Sequence, residues 1–531
     1  MIAASALLAL RGNGIAGHLT GRSAGILASR KDGIGGRMLR NGSPAASAAS
    51  KLVSAWALGA LRFFGLGLVA FSLLSGASTA EAAAPGGFSG RDLGLVWILP
   101  FVGILLSIAI MPLAMPNFWH HHFGKVALAW ALAFCLPFAV MFGASTTLHE
   151  VLHTALLEYI PFIVLITALY VVAGGIFIRG NIHGSPATNT AMLAFGAFIA
   201  SFVGTTGASM LMIRPIIRAN DDRPYNMHVF VFFIFLVSNI GGALTPLGDP
   251  PLFLGFLQGV EFFWTLKFLW KPTLLVAVIL LVLFYLIDSY HYKKEGRTKA
   301  DPTPDTSIGV EGWQVNVPLL AVLVGIVLWS GIVKTLGTVS IYGIEVDWKG
   351  IVRDGGLIAV AALSILLTPK AAREGNGFSW GPVLEVAKLF AAIFITIIPA
   401  LAILRVGTDG ALAGLVQLVT GPGGKPIDPM YFWLTGTLSS FLDNAPTYLV
   451  FYNLAGGDAQ TLMGPLASTL MAISLGAVFM GANTYIGNAP NFMVKAVVED
   501  RGIKMPSFFG YMGWSCIILL PCFALVTVLF F

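Results

Sequence analysis

The chain has 531 residues, 56% hydrophobic and 11% charged, with a formal net charge of +6. An ordinary soluble domain carries roughly 25% charged residues, so a water-soluble globular protein is excluded: there is too little charge to cover its surface. The basic excess does not point to nucleic acid, because Lys and Arg fall in short loops between apolar runs, where they act as a topology signal.

Runs such as 274–287 are apolar on every face, whereas a transmembrane barrel alternates apolar and polar residues over segments of about ten. The predicted class is therefore an all-α polytopic membrane protein. Cys135, Cys516 and Cys522 sit inside apolar runs without metal-ligand spacing and read as buried thiols.

In chain order, residues 1–84 read as a leader. They are rich in Gly, Ala, Ser and Arg through residue 50, and Arg62, an apolar run 63–74 and an Ala80-Glu81-Ala82 site follow, as in a signal peptide cleaved before Ala83. The n-region is long for this, and either Met38 is the true start or the segment is an uncleaved first helix. A spanning helix needs about 20 apolar residues. Spans fall near 93–114, 126–142, 159–178, 191–217, 228–260, 272–288, 317–333, 356–367, 383–404, 431–454, 465–494 and 508–531. One long polar interruption, with Lys293, Lys294, Arg297 and Lys299, divides them into a first repeat (85–288), a cytoplasmic linker (289–316) and a second repeat (317–531).

With the mature N-terminus outside a bacterial inner membrane, Lys125, Arg179, Arg214, Arg218, Arg223, the linker, Lys370, Arg373, Lys495, Arg501 and Lys504 fall inside. This requires that 191–217 and 431–454 turn back without crossing; Lys267, Lys271, Lys349, Arg353 and Lys425 then lie outside.

The halves are related at their least helix-like points. Ser201-Phe202-Val203-Gly204-Thr205-Thr206-Gly207 matches Ser440-Phe441-Leu442-Asp443-Asn444-Ala445-Pro446, and Gly242-Ala243 through Phe253 matches Gly481-Ala482 through Phe492, both 239 positions apart. The charge pattern makes the repeats inverted. Each then holds a re-entrant hairpin and an interrupted helix, the sequence pointer to a midplane site of a secondary transporter.

At those breaks Asp443 is an acid within an apolar segment, which is expensive and by default functional. Burial opposes its charge and a bound cation restores it, so one carboxylate is able to exchange H⁺ for Na⁺. Asp249, aligned with Asn488, is a second acid at a break. Asn444, Asn483, Thr484 and Asn488, with Thr205, Thr206, Asn239 and Thr245, supply neutral oxygens of the kind hard cations prefer; each is equally suited to capping a broken helix. Lys388, Arg214 and Arg405 either pair with these acids, meet an anionic substrate, or snorkel to the interface.

His149-Glu150-Val151-Leu152-His153 fits the H-E-x-x-H zinc-protease pattern. It is expected in a short external connection with no evident third ligand. His120-His121-His122 reads as an interface marker beside Lys125.

On these motifs the chain resembles the ion transporter superfamily, and within it the NhaD-type sodium/proton antiporters and the related CitMHS-like citrate-carrier and arsenite-permease branches. The motifs carrying it are Ser440 to Pro446, similar to the S-x-x-D-N-x-P of the antiporter branch, Arg214-Pro215 with Ala219-Asn220, and Ser238-Asn239-Ile240-Gly241-Gly242 leading to Thr245-Pro246-Leu247-Gly248-Asp249-Pro250-Pro251. The resemblance implies two inverted repeats, a scaffold with a moving transport part, and a homodimer. Dicarboxylate carriers of the superfamily place Ser-Asn-Thr at their hairpin tips; Gly204-Thr205-Thr206-Gly207 and Asp443-Asn444-Ala445-Pro446 depart from this, and a tip carboxylate repels a dicarboxylate.

The expected function is Na⁺ (or Li⁺)/H⁺ antiport, with Asp443 titrating and no resident cofactor. The alternative is cation-coupled uptake of citrate or another small anion, and a zinc metalloprotease is the remote third. Membrane lipid and small cations are the expected partners, with citrate added under the second reading. No G-x-x-x-x-G-K-[ST] motif is present, so an ion gradient is the expected energy source.

Overall fold

The computed structural model describes residues 88–180, 182–296 and 306–531; the expected leader, its cleavage site and Met38 lie outside the described residues. Among these residues nine helices are long and apolar enough to cross a membrane, ten if one pair bent by 41° is a single span. The chain is an all-α, multi-pass membrane protein.

Helices α1 (Leu99–Ala114) and α2 (Pro116–Phe142) lead into α3 (Ala144–Thr154), which continues through one π-helical turn into α4 (Ile160–Ala173). A hairpin follows, α5 (Pro186–Val203) and α6 (Thr205–Ala219), then α7 (Met227–Leu236), a break, α8 (Pro250–Leu257) and the long α9 (Phe262–Glu295). The second half opens with α10 (Trp313–Ile332), α11 (Trp348–Leu367) and the short α12 (Lys370–Gly375). The bent pair α13 (Gly381–Thr396) and α14 (Ile398–Arg405) and the short α15 (Ala413–Leu418) follow. A second hairpin, α16 (Asp428–Phe441) and α17 (Asn444–Leu454), leads through the short α18 (Ala459–Met463) to α19 (Ala467–Met480), a break, α20 (Ala489–Asp500) and α21 (Phe508–Phe530).

Two expectations about the elements need correction, and two ribbons join what the sequence left as connections. The H-E-x-x-H segment is helical, within α3, because nothing between Ala144 and Ala173 breaks the helix. The polar interruption begins inside α9, which runs on through Lys293 and Lys294 to a positive-φ Gly296. Beyond it β2 (Gly309–Glu311) pairs antiparallel with β1 (Phe177–Arg179), so the linker is tied to the end of α4. A second ribbon, β3 (Thr338–Ile341) with β4 (Ile344–Asp347), joins α10 to α11. The cysteines also differ from expectation: Cys522 is buried, but Cys135 is half-buried and Cys516 exposed, on the outward side of α21.

Apart from His228, helix α7 is apolar on all faces, and the structure buries it accordingly: 89% of the apolar window over Met227–Leu244 is enclosed, against 22% over Trp313–Ile332. Lipid tails are as apolar as Leu, so close packing, and not exclusion from water, holds such a helix in the bundle centre. The outward apolar residues, such as Val140, Leu366 and Val528, are those a bilayer covers.

The duplication recurs as hydrogen bonds. Ser201 Oγ donates to Gly241 O at 2.5 Å and Ser440 Oγ to Met480 O at 3.0 Å. Thr245 Oγ1 donates to Ser201 O, and Thr484 Oγ1 to Ser440 O. Leu247 N and Ile486 N each donate back to the preceding Thr at 3.2 Å. Every pair is separated by the sequence offset. Each broken helix is folded tightly on itself: a Cβ on Gly248 would lie 2.1 Å from Gly242 O, and one on Gly487 2.6 Å from Gly481 O. Only glycine fits there.

One end of the molecule is clamped by a buried ionic network. Arg223, in the turn after α6, donates to Asp288 Oδ1 at 2.6 Å and to Glu295 Oε2 at 3.0 Å, both on α9. Asp288 also bonds His228 Nε2 at 2.9 Å and accepts from Asn189 Nδ2 at 3.0 Å. The Asn189 and Asn220 amides bond reciprocally, so α5, α6, α7 and α9 meet around one buried Arg–carboxylate centre.

Candidate functional site

The four broken segments converge on Asp249. Its φ and ψ are extended, it precedes Pro250 at the start of α8, and it is 1% exposed. Its Oδ1 accepts from Thr205 Oγ1 at 2.8 Å and from Asn488 Nδ2 at 3.1 Å, and its Oδ2 accepts from Asn444 Nδ2 at 2.5 Å. Thr205 opens α6 and Asn444 opens α17, the equivalent hairpin helix, while Asn488 is the repeat counterpart of Asp249 itself. The cluster therefore consists of two repeat-related pairs meeting at one carboxylate, the sole charge among the four.

A second layer orients these groups. Asn488 Nδ2 also reaches Ser238 O at 3.1 Å and Asn239 Oδ1 at 3.2 Å. Asn239 Nδ2 donates to Asn491 Oδ1 at 2.8 Å, and Asn491 Nδ2 donates to Gly481 O at 2.8 Å and Thr484 O at 2.9 Å. Asn444 Oδ1, by contrast, is buried with no hydrogen-bond partner. Buried acceptors are nearly always paired, so a free carbonyl oxygen beside a carboxylate marks a place for a hard cation or a water. Asp249 itself also lines a small cavity of about 40 Å³, with Gly204, Thr205, Thr206 and Leu247, enough for one water molecule or a bare alkali ion.

The expected site residues thus divide. Asp249, Thr205, Asn444, Asn488 and Asn239 come together, and Thr206 lines the adjoining cavity. Thr245 and Thr484 bond backbone at the breaks. Asn483 donates from Nδ2 to Ser440 Oγ at 2.9 Å, with its Oδ1 buried and unpaired. Asp443 is half-buried and caps α17, accepting from Ala445 N at 3.0 Å. Its repeat counterpart, Gly204, has φ +79° and no side chain to do this.

The three basic candidates lie elsewhere. Lys388 is exposed, with its ammonium 5.4 Å from the centre of the Phe123 ring. Arg405 is exposed and donates to Asn453 Oδ1 at 2.9 Å. Arg214 lines a separate basic cavity with Arg218, Arg501 and Lys504. No ion pair joins any of the three to Asp249 or Asp443 among the described residues. Arg214, Arg218 and Arg223 do share that cavity with Arg501 and Lys504, the arrangement required if all five face the same compartment.

Sequence reasoning passed over Asn491 and Ser209, which bonds Ser238 of the quoted motif at 2.8 Å. The signal for Asn491 was present: its repeat counterpart is Leu252, so an amide replaces an apolar group at a buried break.

The H-E-x-x-H side chains are not arranged as a metal-binding group among the described residues. His149 and His153 stack with ring centres 6.4 Å apart, and Glu150 lies 3.6 Å from His149 Nδ1. No group of three His, Cys, Asp or Glu suited to a metal occurs among the described residues. Glu158 instead accepts from Gln258 at 3.1 Å. Accordingly, Glu150→Gln and metal chelators are each expected to leave the thermal unfolding midpoint of the chain unchanged; a chelator-induced fall that Glu150→Gln removes would restore a metal role.

Residues 90–531 match a family described as "Putative citrate transport". Two curated relatives, both named as uncharacterized transporters, come from Mycobacterium bovis and Mycobacterium tuberculosis. Each is 24% identical over 351 residues, covering 65% of this chain and 77% of the relative.

Proposed function

The chain belongs to this CitMHS-type citrate-transport family, and from that premise we propose that it is a secondary active antiporter exchanging Na⁺ or Li⁺ for H⁺ at Asp249. The observation that carries the reading is the buried carboxylate held between both repeats, with the unpaired Asn444 carbonyl beside it. A buried carboxylate whose hydrogen-bond partners are all neutral takes either a proton or a cation, because an unneutralised buried charge is costly. That competition couples the two fluxes. Asn444, Asn488, Asn239 and Thr205, with backbone carbonyls at the breaks, are oxygen ligands suited to a small hard cation. Asp443 fixes the N-terminus of α17, whose first residue is Asn444, and so positions that ligand.

Alternating access follows from the inverted repeats: the hairpins and broken helices move as a unit against the remaining helices while the site stays between them. The family description favours a second reading, cation-coupled symport of citrate, in which Asp249 binds the coupling ion. Everted vesicles carrying a pH-sensitive dye separate the two. Dequenching on addition of Na⁺ or Li⁺ without citrate supports antiport; a response that needs citrate overturns it in favour of symport.

A further inference from the structure

We propose that the basic cavity and the groove beside it form a binding site for an anionic phospholipid. The cavity has a volume of about 800 Å³, and Arg214, Arg218, His291, Arg501, Lys504 and Trp514 are among its lining residues. Not all of its cations are free. Arg223 is committed to Asp288 and Glu295, and Arg218 donates to Ile178 O at 2.5 Å and Gly180 O at 3.3 Å. Arg214, Arg501 and Lys504 have no ion pair or hydrogen bond among the described residues. Against one lining acid, Asp221, these three uncommitted cations leave the concavity with an excess of positive charge, the complement of a phosphate-bearing headgroup.

The neighbouring groove supplies the second half. Its volume is about 740 Å³, between Ile279, Leu283 and Ile287 of α9 and Gly513, Ile517 and Pro521 of α21. Trp514 lines both spaces. On α9 the residues Ile279, Leu283, Ile287 and His291 recur every fourth position, which puts them on one face of the helix. That face runs from the apolar groove to the basic cavity. A Cβ on Gly513 would meet nothing within 4 Å, so the groove is open where an acyl chain would lie. A soluble anion accounts for the cations alone; a lipid accounts for the cations, the apolar groove and the interfacial Trp514 that joins them.

The cavity shares no lining residue with the Asp249 site. It does take residues from both halves: Arg214 and Arg218 lie on α6, and Arg501 and Lys504 between α20 and α21. The basic residues place it at the end assigned to the cytoplasm, where anionic headgroups are bound by clusters of this kind. A lipid seated there ties the first repeat to the second.

The test is the thermal unfolding midpoint of the full chain in neutral detergent, titrated with phosphatidylglycerol or phosphatidylcholine. Phosphatidylglycerol is expected to raise the midpoint and phosphatidylcholine not to. R501Q/K504Q, which changes two exposed side chains, is expected to raise the half-saturating phosphatidylglycerol concentration about 30-fold, from about fivefold per cation. G513L, which fills the groove without changing charge, should also weaken the effect. The control K293Q/K370Q, two exposed lysines assigned to the same side, should leave it unchanged. Equal stabilisation by phosphatidylcholine, an equal loss in the control, or a wild-type response in G513L overturns the proposal. So does stabilisation by inorganic phosphate or citrate alone, which would make the occupant a soluble anion.

Discussion

Asp249→Asn is expected to abolish Na⁺- and Li⁺-dependent dequenching in everted vesicles while the protein still reaches the membrane. The substitution keeps the shape and the acceptor oxygen that Thr205 uses, but removes the charge that a cation must neutralise. A unit charge about 4 Å away at an effective dielectric of about 20 is worth about 4 kcal/mol, roughly a thousandfold in cation affinity. Asp443→Asn is expected to behave differently. Asn caps a helix nearly as well as Asp, whereas Ala costs about 1 kcal/mol, so Asp443→Asn should retain exchange and Asp443→Ala should weaken it through Asn444. If Asp443→Asn abolishes exchange and Asp249→Asn does not, the titrating group is Asp443 and the assignment to Asp249 is wrong.

The largest expected loss of stability is for Arg223→Ala. The Arg223 and Asp288 side chains have no exposure and Glu295 has 3%, so among the described residues removing the guanidinium leaves Asp288 with His228 and Asn189 alone and Glu295 without a side-chain partner. Breaking a buried pair from one side costs about 3–5 kcal/mol, measurable by equilibrium unfolding in mixed micelles. The combined Arg223→Ala, Asp288→Ala and Glu295→Ala variant is expected to be more stable than Arg223→Ala alone, because no charge is left stranded. A loss below about 1 kcal/mol in the single variant would mean that the network is solvated and contributes little.

Several parts of this protein were legible from residue types alone. The repeat was readable because its glycines, Thr245 and Thr484, and Ser201 and Ser440 serve backbone geometry, which cannot change without opening the breaks. Identical local bonds then follow from identical residues at one offset. Asp249 and Asp443 were both visible as acids in apolar surroundings. Their different surroundings were not, since Asp443 caps a helix through its neighbour Ala445, a local interaction, while Asp249 is held by Asn444 and Asn488, 195 and 239 residues away. Asn491 escaped notice because its partners lie across the bundle and at the turn of its own broken helix.

The amino-acid sequence determined the membrane class and the positions of the breaks, because each follows from apolar runs and backbone requirements that act over a few residues. Tertiary structure alone decided that Asp249 sits between both halves, that Lys388 and Arg405 stand away from it, and that Arg214 shares a basic cavity with Arg501 and Lys504. Those outcomes depend on which distant segments pack together. Burial, pairing and charge at a site are properties of that packing.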